Sequence, residues 1–234
     1  MKKTLAKLKS QQHVTIVAFG DSITEDTFHT RGHMNWVGLL REAIFETYGA
    51  GVCTMINSGK CASSFREGLT RIQRDVLRFQ PDLVILALGM NDAGGGLNGL
   101  DAFKNNVRQT IYLIQENCGS EILIRTPNPV VTAPGPPGVP EQGQLGRAWE
   151  SPPHRLKVYA QALVSLAKEL GISCVDHYTL WTEAAFSVKH PVADPNGPWQ
   201  RMGDAIHPGA LGHRVVFSEL APLFEVPERF PWEV

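Results

Sequence analysis

A serine near one end of this chain and an aspartate and a histidine near the other are of the right types to act together. Ser22 stands in Gly20-Asp21-Ser22-Ile23-Thr24, and Asp204 and His207 stand in Asp204-Ala205-Ile206-His207-Pro208. A serine hydroxyl is a poor nucleophile until a base takes its proton, and His207 is a candidate base. An imidazole in that role needs a partner on its other nitrogen to fix the tautomer and stabilise the cation. Asp204, three residues earlier, is close enough to be that partner. Acyl transfer also needs donors for an oxyanion. Asn91, in Gly89-Met90-Asn91-Asp92, offers a side-chain amide, and the turns after the first two strands offer backbone N–H groups. Each piece also has a plainer reading. Ser22 is of a type that caps helices, Asn91-Asp92 is a turn signal, Asp204 is able to cap its turn, and His207-Pro208 is able to open a helix. In this order along the chain, the pieces together point to serine-based acyl transfer.

These residues need elements to bring them together. Apolar runs rich in β-branched residues occur at VTIVAF, VCTMI, LVILAL, ILI and ISCV. They do not alternate with polar residues, as expected of strands buried on both faces in a parallel sheet. Between them lie helical patterns. Phe65, Leu69, Ile72, Val76 and Phe79 recur at spacings of three and four before Pro81. Phe103, Val107, Ile111 and Ile114 do so before Gly119, and Leu156, Tyr159, Leu163, Leu166 and Leu170 before Gly171. Trp36, Leu40 and Ala43 mark a first helix, and Leu211, Val215 and Leu220 a last one ending before Pro222. Strand and helix alternate throughout, which predicts one α/β domain over residues 1–234, with an open parallel sheet of about five strands and helices on both faces. In such sheets ligands bind beyond the carboxyl ends of the strands, where Ser22, the stretch 57–64 and Asn91 all fall.

Composition narrows the partners. The 234 residues carry 43% apolar side chains and a net charge of −1, which disfavours nucleic acid as a partner. The basic start, MKKTLAKLKSQQH, is followed by no apolar segment long enough for a signal or a membrane span, so a cytoplasmic location is expected. Cys53, Cys61, Cys118 and Cys174 form no CxxC pair and read as buried free thiols. His29 and His33 could share a helix face and bind metal, but no cysteine or carboxylate lies at ligand spacing. They are read as solvated loop histidines, and no metal is expected.

The blocks around Ser22, Asn91 and His207 resemble those of the SGNH hydrolases, also called the GDSL esterase/lipase family. The resemblance spans almost the whole chain and implies a flavodoxin-like α/β/α sandwich. It implies Ser22 as nucleophile, His207 as base with Asp204 orienting it, and an oxyanion hole from the Ser22 N–H, the Asn91 side chain and a second-loop N–H. In that second loop the family has N-x-G-x-x-G, whereas this chain has Asn57-Ser58-Gly59-Lys60-Cys61-Ala62. Ala62 stands where glycine is expected. It keeps the N–H, and it is strained if that position needs a positive φ.

The expected activity is a cofactor-free serine esterase acting on short-chain, acetyl-type esters, including those of carbohydrates. The alternatives are a lysophospholipase or thioesterase of the same fold, or a non-catalytic nucleotide- or carbohydrate-binding module. Gly94, Gly96 and Gly99 match G-x-G-x-x-G, but they begin well past the strand, and no acidic residue ends the next one. Asp21, Gly59 and Asp92 are expected to support the site or contact substrate. Residues 128–155 form a Pro/Gly-rich insertion too long for an ordinary connection, expected beside the site. Its Arg147 and Trp149 are of types that bind and stack on a sugar. A homo-oligomer is left open.

Overall fold

The computed structural model describes residues 1–25, 28–132, 142–150, 154–184 and 201–228. In chain order the elements are α1 (Lys2–Lys9), β1 (Val14–Gly20), α2 (Ser22–Glu25), α3 (Trp36–Tyr48), β2 (Cys53–Gly59), α4 (Phe65–Asp75), β3 (Leu83–Ala87), α5 (Leu100–Cys118), β4 (Glu121–Arg125), α6 (Gln142–Trp149), α7 (Arg155–Leu170), β5 (Ser173–Val175), α8 (His177–Ala184) and α9 (Ala210–Phe224). The strands form one parallel sheet in the order β2-β1-β3-β4-β5. Helices cover both faces, giving the expected α/β/α sandwich.

Strand alternation decides which side chain enters which core. Ile16, Ala18, Leu83, Ile85 and Leu123 pack with Trp36, Leu40, Val216 and Leu220 of α3 and α9 on one face. Val17, Phe19, Val84, Leu86, Ile122 and Ile124 pack with Phe65, Phe103, Val107 and Leu163 of α4, α5 and α7 on the other. β1 and β3 are buried on both faces, as their apolar runs require. β2 is not, because it lies at the sheet edge. For the same reason the thiols are not buried as expected. Cys53 and Cys174 lie on the two edge strands and Cys118 ends α5, all three half-buried, and Cys61 is exposed in a loop. All four are free.

Two further details depart from expectation. α9 runs through Pro222 to Phe224 rather than stopping before it, since a proline so near the end of a helix disrupts few of its hydrogen bonds. Gly94, Gly96 and Gly99 lie in and between two short 3-10 turns, Asp92–Gly95 and Leu97–Gly99, that lead into α5. Among the described residues, no helix is long and apolar enough to cross a membrane. Of the 128–155 insertion, residues 133–141 and 151–153 lie outside the described residues.

Candidate active site

The register aligns the strand ends that carry the chemistry. Gly20 ends β1 opposite Gly59 of β2 and Ala87 of β3. Asp21-Ser22, the loop from Lys60 to Ala62, and Asn91 therefore leave the sheet side by side, where the strand order reverses about β1.

Ser22 opens α2, a single turn folded back tightly on the sheet. A Cβ on Gly20 would overlap the Thr24 side chain, and a Cβ on Gly59 would overlap the Glu25 backbone. Both glycines are needed for this close approach. Asp21 Oδ1 accepts the Ile23 N–H at 3.0 Å, satisfying a donor at the start of the turn. The Thr24 carbonyl accepts from Asn35 Nδ2 at 2.9 Å and from Asn57 Nδ2 at 2.6 Å.

At the other end of the chain, Met202 and Pro208 form an antiparallel bridge that closes a turn. Asp204 Oδ1 accepts the N–H groups of Ile206 and His207, each at 2.7 Å. Asp204 Oδ2 lies 2.8 Å from His207 Nδ1, and His207 Nε2 lies 2.9 Å from Ser22 Oγ. Partial burial alone would raise the Asp204 pKa, but the hydrogen bonds from His207 and Ile206 outweigh it and hold the carboxyl at about 2. It is therefore ionised at neutral pH, as support of an imidazolium requires.

Ala62 has φ +58°, the left-handed conformation, so alanine occupies a position that favours glycine. Its N–H has no acceptor among the described residues, while Ser63 N–H bonds back to the Lys60 carbonyl at 3.1 Å. Asn91 Nδ2 donates to the Ser63 carbonyl at 3.1 Å. One amide hydrogen thus ties Asn91 to the Ala62 loop, and the other is left for a ligand. Asp92 accepts the Phe65 N–H with both oxygens at 3.1 Å and so anchors the start of α4. Burial pushes Asp92 up to about 7 against that bond, with the Asp21 charge adding to the rise. Burial likewise pushes Asp21 up to about 6 against the pull of Arg125.

Arg147 and Trp149 make no hydrogen bond to Ser22, Asp204 or His207 among the described residues. Arg147 is exposed and donates to the Thr132 carbonyl at 2.6 Å. Trp149 packs against the α4–α5–α7 core. The start of the insertion does reach the site, through its backbone and one amide. Asn128, fully buried, donates to the Ile206 carbonyl at 3.1 Å, and Val131 N–H donates to the Ala205 carbonyl at 2.8 Å.

Two other residues went unread in the sequence, and a third, His29, was read differently. Arg71, buried in α4, donates to the Gly20 carbonyl (2.7 Å), the Ser58 carbonyl (2.9 Å) and Ser63 Oγ (3.2 Å), joining the ends of β1 and β2 to the Ala62 loop. Arg125, buried at the end of β4, interacts with Asp21 and Glu219, and burial lowers its pKa to about 10. His29, expected to be a solvated loop histidine, is only 18% exposed. Its Nε2 lies 3.2 Å from Asp204 Oδ2. His33 is exposed. Arg125 and Asn128 stand at the carboxyl end of β4, so the strand-end rule that singles out Ser22 and Asn91 could have found them too. Arg71 and His29 carry no such local signal.

A flavodoxin-like sheet with a hydroxyl, an imidazole and a carboxylate in line at its carboxyl rim has the constitution of a serine hydrolase. The sequence profile of the GDSL-like Lipase/Acylhydrolase family matches residues 18–215, and the chain belongs to that family. It is a carboxylic ester hydrolase of the serine type. A GDSL esterase/lipase of Arabidopsis thaliana is 24% identical over 239 residues, covering 93% of this chain and 90% of that one. Axe2, an acetylxylan esterase from Geobacillus stearothermophilus, shares the fold with a TM-score of 0.66 at 18% identity, over 94% of this chain and 98% of its own. The acetyl xylan esterase AlAXEase superposes with a TM-score of 0.68 at 19% identity, over 90% and 99% of the two chains.

Proposed function

We propose that the protein hydrolyses acetyl and other short-chain esters, with acetylated carbohydrates as the natural class, through an acyl-enzyme on Ser22. The observation that carries this reading is the continuous line from Ser22 Oγ to His207 Nε2 (2.9 Å) and from His207 Nδ1 to Asp204 Oδ2 (2.8 Å). Ser22 Oγ attacks the ester carbonyl as its proton passes to His207 Nε2. The tetrahedral oxyanion takes hydrogen bonds from the Ser22 N–H, the Ala62 N–H and the second amide hydrogen of Asn91. His207 then gives its proton to the departing alkoxide, leaving an acyl ester on Ser22. A water that loses its proton to His207 attacks that ester, and release of the acid returns the proton to Ser22. Asp204 keeps Nδ1 protonated throughout and balances the transient imidazolium. Gly20 and Gly59 let α2 lie close to the sheet, Asp21 satisfies the Ile23 N–H at its start, and Asp92 sets the start of α4 beside the Ala62 loop.

The acetyl-ester preference draws support from the two acetylxylan esterases that share the fold. The test is a series of p-nitrophenyl esters from acetate to octanoate, alongside acetylated xylo-oligosaccharides, assayed with the wild type and Ser22→Ala. We expect kcat/KM to be highest for acetate, acetate release from the oligosaccharides, and loss of both activities in Ser22→Ala. Preference for octanoate would overturn the substrate class, and an active Ser22→Ala variant would overturn the mechanism.

A further inference from the structure

Arg71 reaches the rim from beneath, out of α4, and is only 6% exposed, so it supports the rim from inside the fold. Its guanidinium donates in several directions at once. Nη2 donates to the Gly20 carbonyl at 2.7 Å, Nη1 to the Ser58 carbonyl at 2.9 Å, and Nε to Ser63 Oγ at 3.2 Å. Nη1 also donates to Asp75 Oδ2, one turn along the same helix, at 3.0 Å. Its Cζ stands over the Phe19 ring, 4.2 Å from the centroid. A planar group with these bonds and a ring against its face has little freedom to shift.

The acceptors lie beside the three oxyanion donors of the proposed reaction. The Gly20 carbonyl stands one peptide before the Ser22 N–H, and it also accepts the Lys60 N–H at 3.1 Å. Ser63 directly follows Ala62, and its own N–H closes the loop on the Lys60 carbonyl at 3.1 Å. The Ser63 carbonyl in turn accepts from Asn91 Nδ2 at 3.1 Å. One guanidinium therefore fastens the peptide before Ser22, the residue after Ala62 and, through Ser63, the Asn91 amide. The paired register of β1 with β2 and β3 ends at Gly20, Gly59 and Ala87. Past those residues the sheet no longer spaces the three chains, and Arg71 spans the gap.

A second reading gives Arg71 an electrostatic role, its positive charge attracting the oxyanion through space. The ion pair with Asp75 offsets that charge. The several well-aimed bonds to the rim ask for a fork of fixed shape, which lysine, with its donors on one atom, does not supply.

We propose that Arg71 is a positioning residue for ester hydrolysis, setting the spacing of the Ser22 N–H, the Ala62 N–H and the Asn91 amide around the oxyanion. This rests on the serine-esterase reading of the site. It calls for three variants. Arg71→Lys keeps the charge and loses the fork. Ser63→Ala cuts only the bond from Nε. Asp75→Asn breaks the ion pair and leaves the bonds to the rim. Each is assayed on p-nitrophenyl acetate, with rates referred to folded protein measured by near-UV circular dichroism. Inhibition by methylboronic acid is measured alongside, because it adds to Ser22 as a tetrahedral anion and so reports on the oxyanion donors without turnover.

Removing one oxyanion donor outright costs on the order of 10²–10³ in kcat. Displacing donors that remain present should cost less, so Arg71→Lys should lower kcat at least about tenfold with KM changed less than about twofold. The inhibition constant of methylboronic acid should rise by a similar factor. Ser63→Ala should lower kcat about threefold or more with the same KM pattern, and Asp75→Asn should stay within about twofold of wild type. Wild-type kcat in Arg71→Lys would overturn the proposal. So would a loss carried by KM alone, an unchanged boronic acid constant beside a lowered kcat, or an Asp75→Asn loss equal to that of Arg71→Lys. If Arg71→Lys does not fold, Ser63→Ala decides, and wild-type kcat there overturns the proposal. Ser22→Ala keeps the two readings apart. Activity in that variant removes the esterase mechanism itself, whereas an inactive Ser22→Ala beside an unimpaired Arg71→Lys removes only the role of Arg71.

Discussion

Replacing Ala62 by glycine separates backbone strain from chemistry at the rim. Ala62 holds φ +58° in an exposed loop, so its methyl group gains little from packing. An L-residue in the left-handed region costs roughly 1–2 kcal/mol relative to one in its preferred conformation. Glycine removes that cost but adds freedom to the unfolded chain, worth about 0.4–1 kcal/mol in the other direction. The balance is a stabilisation of about 0.5–1 kcal/mol. For a chain of this size it raises Tm by roughly 1–4 °C. Calorimetry under reversible conditions measures it, with Ala62→Val as the opposite perturbation, since a β-branched residue fits the left-handed region worse than alanine. The backbone N–H survives both changes, so kcat on p-nitrophenyl acetate should stay within about twofold for Ala62→Gly. A Tm lowered by 2 °C or more (about 0.5–1 kcal/mol for this size) in Ala62→Gly would show that the methyl group makes a contact worth more than the strain. A tenfold fall in kcat (about 1.4 kcal/mol) with Tm raised would refute the premise that only the N–H of this residue matters.

Gly59→Ala should destabilise the protein by about 1–3 kcal/mol, because its Cβ meets the Glu25 backbone rather than a side chain able to turn away, and should depress kcat with it. Gly94→Ala, with nothing within 4 Å of the added carbon, should stay within about 0.5 kcal/mol; thermal melts of the two variants test the contrast, and equal effects would sink the steric argument. Asp204 has a folded pKa of about 2, below its unfolded value of 3.8, so its contribution is present above about pH 4 and is lost as pH falls toward 2. That shift corresponds to about 2 kcal/mol, of which roughly a third remains at pH 2.5, so the stability gap between wild type and Asp204→Asn in urea melts should narrow by about 1.5 kcal/mol from about pH 6 to about pH 2.5. A gap independent of pH would refute the assignment.

The elements that could be read in the sequence are those whose burial leaves a periodic trace. The continuous apolar runs of β1 and β3 mark strands covered on both faces. The spacing of Phe103, Val107, Ile111 and Ile114 marks the buried stripe of α5. Elements with a short buried face leave less trace. α1 buries only Thr4 and Leu8, so its sequence reads as a basic start. α6 comes after a Pro/Gly-rich stretch that masks it.

The rim divides in the same way. Ser22, Asn91, Asp204 and His207 belong to compact blocks at strand ends or before the last helix, so residue type and position identify them in the sequence alone. The residues that hold the rim together obey a different rule. The carbonyls of Gly20, Thr24, Ser58, Ser63 and Ile206 each accept from a side chain distant in sequence: Arg71, Asn35 and Asn57, Arg71, Asn91, and Asn128 respectively. Buried carbonyls at strand ends and in the loops beyond them are only partly served by backbone donors, and an unpaired buried acceptor is costly, so other donors reach them. The requirement is for a donor at a point in space. An amide or guanidinium from any element of suitable reach meets it, and such a residue shares no spacing with the group it serves. In the sequence it looks like one more solvated polar side chain. These donors hold the strand-end loops in one geometry before substrate arrives, so little reorganisation is left for the moment when negative charge develops on the oxyanion.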